Sequence, residues 1–195
     1  MATPPLILGG GLALGGLALV GLLAMAVGDD TPTPMEQLRA QHGDRPGKYF
    51  TWREFEITSR QVDNTLPVWA MEPIKGLVVN VLDPLREAVQ RPVRVTSGFR
   101  SEVLNRLIGG AKGSQHMRGE AADIKVDGFS AVVLATTMVQ LRLPFDQVIW
   151  YDPELGGHVH VSFAQGRGQR GEMLHAYRDA QGVKKYRAWR PAGVV

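Results

Sequence analysis

Residues 158–163 read HVHVSF, and few architectures accept such a segment. Successive side chains of a strand point to opposite faces. Val159, Val161 and Phe163 therefore form one side, and His158, His160 and Ser162 the other. The apolar side asks for a core. The polar side projects two imidazoles together, where no apolar packing explains them. A second stretch, SQHMRGEAADI at 114–124, places His116 in a glycine-containing loop seven residues before Asp123, which leads into the strand AADIKV. Gly119 lets that loop turn back so that the two side chains converge. His116, Asp123, His158 and His160 form a candidate set of nitrogen and oxygen ligands. The chain has no cysteine, so any metal must be held by His, Asp or Glu. Zinc suits this set, because catalytic zinc takes three imidazole or carboxylate ligands and one water.

The surrounding pattern predicts one packed domain within 195 residues. FTWREFEI opens it. PIKGLVVNVLDPLREAVQ (73–90) has apolar residues at helical spacing and reads as a buried helix, interrupted or kinked near Pro84. RPVRVTSGF is a strand ending in a glycine turn. SEVLNRLIGG is a short helix between a Ser cap and a Gly-Gly stop, and SAVVLATTMVQLRL is a helix capped by Ser130. AADIKV, FDQVIWY and HVHVSF are strands. Helices early and strands later give an α+β class with a small, largely antiparallel sheet and packed helices. Trp150 is expected in the core, Glu120 facing solvent, and His42 and His175 on the surface.

From Ala2 to Gly28 there is no charged side chain, and residues 6–27 are apolar throughout. About 20 such residues span a bilayer as a helix. An N-terminal transmembrane anchor is therefore expected over residues 1–30, in contact with the lipid bilayer. A Pro-spaced linker follows at 31–48, and the soluble domain occupies 49–195. Asp29 and Asp30 after the run, with no Lys or Arg before it, argue against a cytoplasmic C-terminal side. The alternative is a cleaved leader, with AMA at 24–26 as a small-x-small site. Residues 164–195 carry seven Lys and Arg against Glu172 and Asp179, a basic tail without aromatic interleaving. No nucleic-acid partner is expected.

SQHMRGEAADI followed by HVHVS resembles the S-x-H-x-x-G-x-A-x-D and H-x-H patterns of the M15 zinc peptidases of the D-Ala-D-Ala carboxypeptidase type. The resemblance extends through VLDPLREAV, VTSGFRSEVLNRLIGGAKGSQH and FDQVIWY, over residues 49–175. It implies the fold shared with the hedgehog signalling domain, a Zn2+ cofactor, and hydrolysis of peptidoglycan stem peptides by a bacterial envelope enzyme or a phage protein. With the anchor, it implies a single-pass membrane protein whose catalytic domain faces the cell wall, in the bacterial envelope or a membrane-containing phage virion. The implied zinc ligands are His116, Asp123 and His160. His158 and Arg100 would stabilise the transition state, Arg100 would also hold a substrate carbonyl or carboxylate, and Ser114 would bind substrate backbone. The general base is less direct. Many relatives have an acid three residues before the last ligand, where this chain has Gly157. Hedgehog-like relatives place Glu six before it, which corresponds to Glu154; Asp152 is the other candidate. The missing acid at 157 supports an alternative, a zinc-stabilised binding module of the same fold without turnover.

Overall fold

A computed structural model describes residue 40 and residues 43–192. Six strands form one sheet: β1 (Val93–Ser97), β2 (Ala121–Val126), β3 (Gln147–Tyr151), β4 (Val159–Ser162), β5 (Glu172–Arg178) and β6 (Lys184–Ala188). Their order across the sheet is β1-β2-β4-β3-β5-β6. All neighbours are antiparallel except β3 and β5. The helices are α1 (Val68–Leu77), α2 (Asp83–Val89), α3 (Glu102–Leu107) and α4 (Ala131–Gln140).

The two sides of the sheet follow from the alternation of side chains. Val93 and Val95 of β1, Ala122, Ile124 and Val126 of β2, Val148 of β3, and Val159 and Val161 of β4 enter one core. Ile74, Leu77 and Leu85 of the first helices and Leu134 and Met138 of α4 complete it. Burying each large apolar side chain contributes roughly 1.5–3 kcal/mol, enough to hold the register by which His160 and Asp123 face the other way. In that register Asp123 lies directly opposite His160 across β2 and β4.

The expected helix at 73–90 starts earlier, at Val68, because its first turn buries Ala70 and Met71. Between α1 and α2 the helix widens into a π turn at Val78–Leu82. Pro84 follows, and it has no N–H to donate to the carbonyl of Asn80. A widened turn is a common way for a helix to accommodate such a break. Ser101 and Ser130 cap α3 and α4, each accepting a backbone N–H through its hydroxyl.

Two expectations need correction. The fold is α+β with a six-stranded sheet, but the transmembrane helix added to it is not supported. Among the described residues no helix is long and apolar enough to cross a membrane. The longest unbroken helical run among the described residues, Val68–Val89, carries Glu72, Lys75, Asp83, Arg86 and Glu87 and packs against the sheet. The anchor expected over 1–30 lies outside the described residues, as does His42. A single-pass membrane localisation and a bilayer partner therefore have no structural support. The second correction concerns residues 172–188, which form β5 and β6 rather than a basic tail.

Candidate metal centre

His116 sits in the single turn Gln115–Arg118, which Gly119 ends at φ 70°. A Cβ at Gly119 would lie 2.6 Å from the Ala70 carbonyl oxygen, so the loop lies against α1 more closely than any other residue allows. Gly98 makes a similar approach to Phe55, where a Cβ would stand 2.5 Å from its Cα. That approach places the Gly98 carbonyl 2.7 Å from His116 Nδ1. His116 donates from Nδ1, which leaves the lone pair on Nε2. The same logic applies to His160, whose Nε2 lies 3.1 Å from Gln115 Oε1. Donation there leaves the lone pair on Nδ1.

Both lone pairs meet at one carboxylate oxygen. His116 Nε2 and His160 Nδ1 are 3.1 Å apart, and Asp123 Oδ1 lies 3.2 Å from the first and 3.1 Å from the second. All three residues are buried. Three acceptors facing one another would repel unless a proton or a cation sat among them. Donor atoms bound tetrahedrally at about 2.0–2.1 Å stand roughly 3.3 Å apart, close to the separations here. The residues present therefore fit a zinc-sized cation. Burial alone would raise the Asp123 carboxyl, but His116 and His160 outweigh it and hold the group well below the usual carboxylate range. Burial lowers His160.

The other oxygen of Asp123 faces two more nitrogens. Arg100 Nη2 donates to Oδ2 at 2.6 Å, and His158 Nε2 stands 4.0 Å away. Arg100 is further held by Ser97 Oγ at 3.0 Å. His158 stacks on Tyr151, with ring centres 4.2 Å apart, and burial pushes its imidazole below the ordinary value.

Beside the triad opens a cavity of about 440 Å³ whose walls include Arg100, Ser114, His116, Asp123 and His160. Glu154, Asp152 and His158 are not among its lining residues. Glu154 is exposed on the turn Pro153–Leu155. Asp152 continues the Trp150 side of β3, away from the triad, and its Oδ1 lies 2.8 Å from His175 Nε2.

Several participants were not visible in the motifs. Gln147, Ile149 and Tyr151 line the cavity together, and their period of two along FDQVIWY is the signal that could have found them. Gln115 joins His160 to Asp146, donating to Asp146 Oδ2 at 2.7 Å, while Arg170 grips the same carboxylate. Glu120, expected in solvent, is buried under Arg118 and Arg167. His175, expected at the surface, is also buried. It contacts Asp152, accepts from Arg187 Nε at 3.0 Å, and stacks on Trp150.

The chain is similar in sequence to known peptidases. The zinc D-Ala-D-Ala carboxypeptidase of Streptomyces albus G is 34% identical over 90 residues, which is 44% of this chain and 34% of that protein. The match thus spans about a third of that relative's length. The family model described as Peptidase M15 matches residues 48–162, a segment that contains all three residues of the triad. The chain belongs to the M15 peptidase family.

Proposed function

We propose that residues 49–195 form a zinc-dependent peptidase acting on the stem peptides of peptidoglycan, with His116, Asp123 and His160 as the metal ligands. The observation that carries this reading is the convergence of three lone-pair atoms within 3.1–3.2 Å of one another at the wall of a polar cavity. When bound there, zinc lowers the pKa of a water toward about 7 and polarises a peptide carbonyl. The chain's own groups do the rest. Gly98 and Gln115 fix the tautomers of the two imidazoles, and such outer partners typically support metal affinity by about 10- to 100-fold. In this reading Arg100, on the cavity wall beside the outer oxygen of Asp123, stabilises the charge that develops on the carbonyl oxygen, and His158, outside the lining and 4.0 Å from that same oxygen, supports Asp123. Ser114, on the cavity wall, is placed to hold substrate backbone.

The test is a comparison of chelated and zinc-restored protein on purified peptidoglycan. Zinc-dependent release of new amino groups is expected, with mass spectrometry of the products identifying the bond cut. Zinc uptake without release would favour the second reading, a zinc-stabilised binding module. That reading is supported by the position of the two candidate bases, Glu154 and Asp152, outside the cavity.

Glu154 serves as base only if Gly156 and Gly157, both at positive φ, let its turn swing inward. With its carboxylate in solvent, Glu154→Gln is expected to keep turnover within about twofold. Loss of a working general base costs about 100- to 10,000-fold. A fall of that size in steady-state turnover would place Glu154 at the reaction after all.

A further inference from the structure

Five cationic side chains line the cavity (Arg100, Arg118, Arg167, Arg170 and Lys184) against two carboxylates, Asp123 and Asp146. Four of the five are already committed. Arg100 binds Asp123, Arg118 and Arg167 bind Glu120, and Arg170 binds Asp146 and Glu172. Lys184 alone among these cations has no carboxylate within 4.0 Å among the described residues; the acid near it in sequence, Asp179, pairs with Lys185 instead. Its ammonium lies 5.6 Å from the centre of the Tyr186 ring, an arrangement that holds the charge at the cavity wall. Tyr186 packs edge-on against Tyr151, and Tyr151 stacks on His158 beside Asp123. An aromatic track thus joins the free cation to the triad. Lys184 and Tyr186 belong to β6, beyond the residues that match the family model.

We infer that Lys184 is a specificity-determining residue that receives a free carboxylate of the substrate while the scissile carbonyl lies at the triad, so that this site selects anionic peptides. The inference rests on the peptidase reading above and narrows it. An ammonium is a point charge on a flexible stem, so it recognises a carboxylate by charge rather than by bidentate geometry. That carboxylate is the peptide's C-terminus or an acidic side chain near the cleaved bond.

The test uses zinc-loaded full-length protein and an N-acetylated tripeptide ending in D-alanyl-D-alanine, as the free acid and as the C-terminal amide. A third peptide carries an acidic residue before the cleaved bond, with its side chain free or amidated. For K184Q the expected result is a KM about tenfold higher on the free acid, kcat unchanged, and no change on the matching amide. K184R should restore the wild-type KM. A difference confined to the terminal pair assigns the carboxylate to the C-terminus, and one confined to the side-chain pair assigns it to the side chain; either supports Lys184. Equal KM for acid and amide in the wild type, or the same rise on both in K184Q, overturns the inference. Calorimetric binding of the corresponding N-acetyl dipeptide acid is measured in parallel. Binding that K184Q abolishes, without turnover by the wild type, would overturn the peptidase reading and leave Lys184 as an anion site. Turnover indifferent to K184Q does the reverse.

Discussion

Asp123→Ala should abolish stoichiometric zinc binding and lower turnover by about 1,000-fold or more. Metal polarisation contributes several kcal/mol to the transition state, and each 1.36 kcal/mol is tenfold in rate. Asp123 has a second task that makes the alanine variant ambiguous on its own. Its Oδ2 holds Arg100, whose side chain is only 14% exposed, so truncation leaves a nearly buried guanidinium without its carboxylate and with Ser97 Oγ as its remaining acceptor. Leaving such a donor unmatched costs about 1–3 kcal/mol of stability. Asp123→Asn and His160→Ala separate the two effects. The amide keeps the shape and one acceptor oxygen, and His160→Ala leaves the Arg100 pair intact. Metal content by elemental analysis, read beside thermal unfolding, decides the matter. Full zinc content in both folded variants would remove Asp123 and His160 from the ligand set.

Asp146→Asn should be the next most damaging change, although Asp146 touches no proposed ligand. Its side chain is 3% exposed and takes hydrogen bonds from Arg170 and Gln115. Breaking a buried ion pair typically costs about 3–5 kcal/mol. Arg170 is 54% exposed and water screens it, so a loss of about 2–3 kcal/mol is expected. Through Gln115 the same change should loosen His160 and weaken zinc affinity by about 10- to 100-fold. The pH dependence has a definite sign. Hydrogen bonding from Arg170, despite burial, holds the Asp146 carboxyl below its ordinary value of 3.8. The stabilisation is therefore complete above about pH 4 and is lost as the pH falls through the depressed folded value. Urea unfolding at pH 7 and at pH 3 should differ less for Asp146→Asn than for the wild type. An unchanged difference would show that the acid sensitivity arises elsewhere.

Local pattern carried most of what surrounds the triad. The alternation in HVHVSF predicts that strand and the faces it turns, AADIKV reads as a strand, and the loop before Asp123 brings His116 back as its glycine suggests. The rest depends on partners distant in the chain. Glu120 resembles a loop residue in solvent until Arg167, 47 positions later, closes over it. His175 is buried because Asp152 and Arg187, on other elements, occupy its two ring nitrogens. Asp152 reads as the second candidate base because it shares the loop before His158 with Glu154, but β3 continues through Tyr151 and the alternation carries position 152 to the Trp150 side, where it meets His175. KKYRA was legible as charge and not as a strand, since every residue of β6 is exposed and no apolar alternation marks it.

The β5–β6 hairpin also decides what the sheet offers at its edge. Without it β3 would end the sheet, offering a row of unpaired backbone groups beside the apolar run VIWY. Such an edge templates pairing with other chains. β5 covers that row by pairing in parallel with Gln147–Tyr151, and the new boundary is β6, with Lys184, Lys185 and Arg187. Like charges meeting along an exposed boundary discourage a second copy from adding its own strand. The lysine proposed to greet the substrate thus also belongs to this charged edge: an acid or a neutral residue that retuned the cavity would weaken the edge as well.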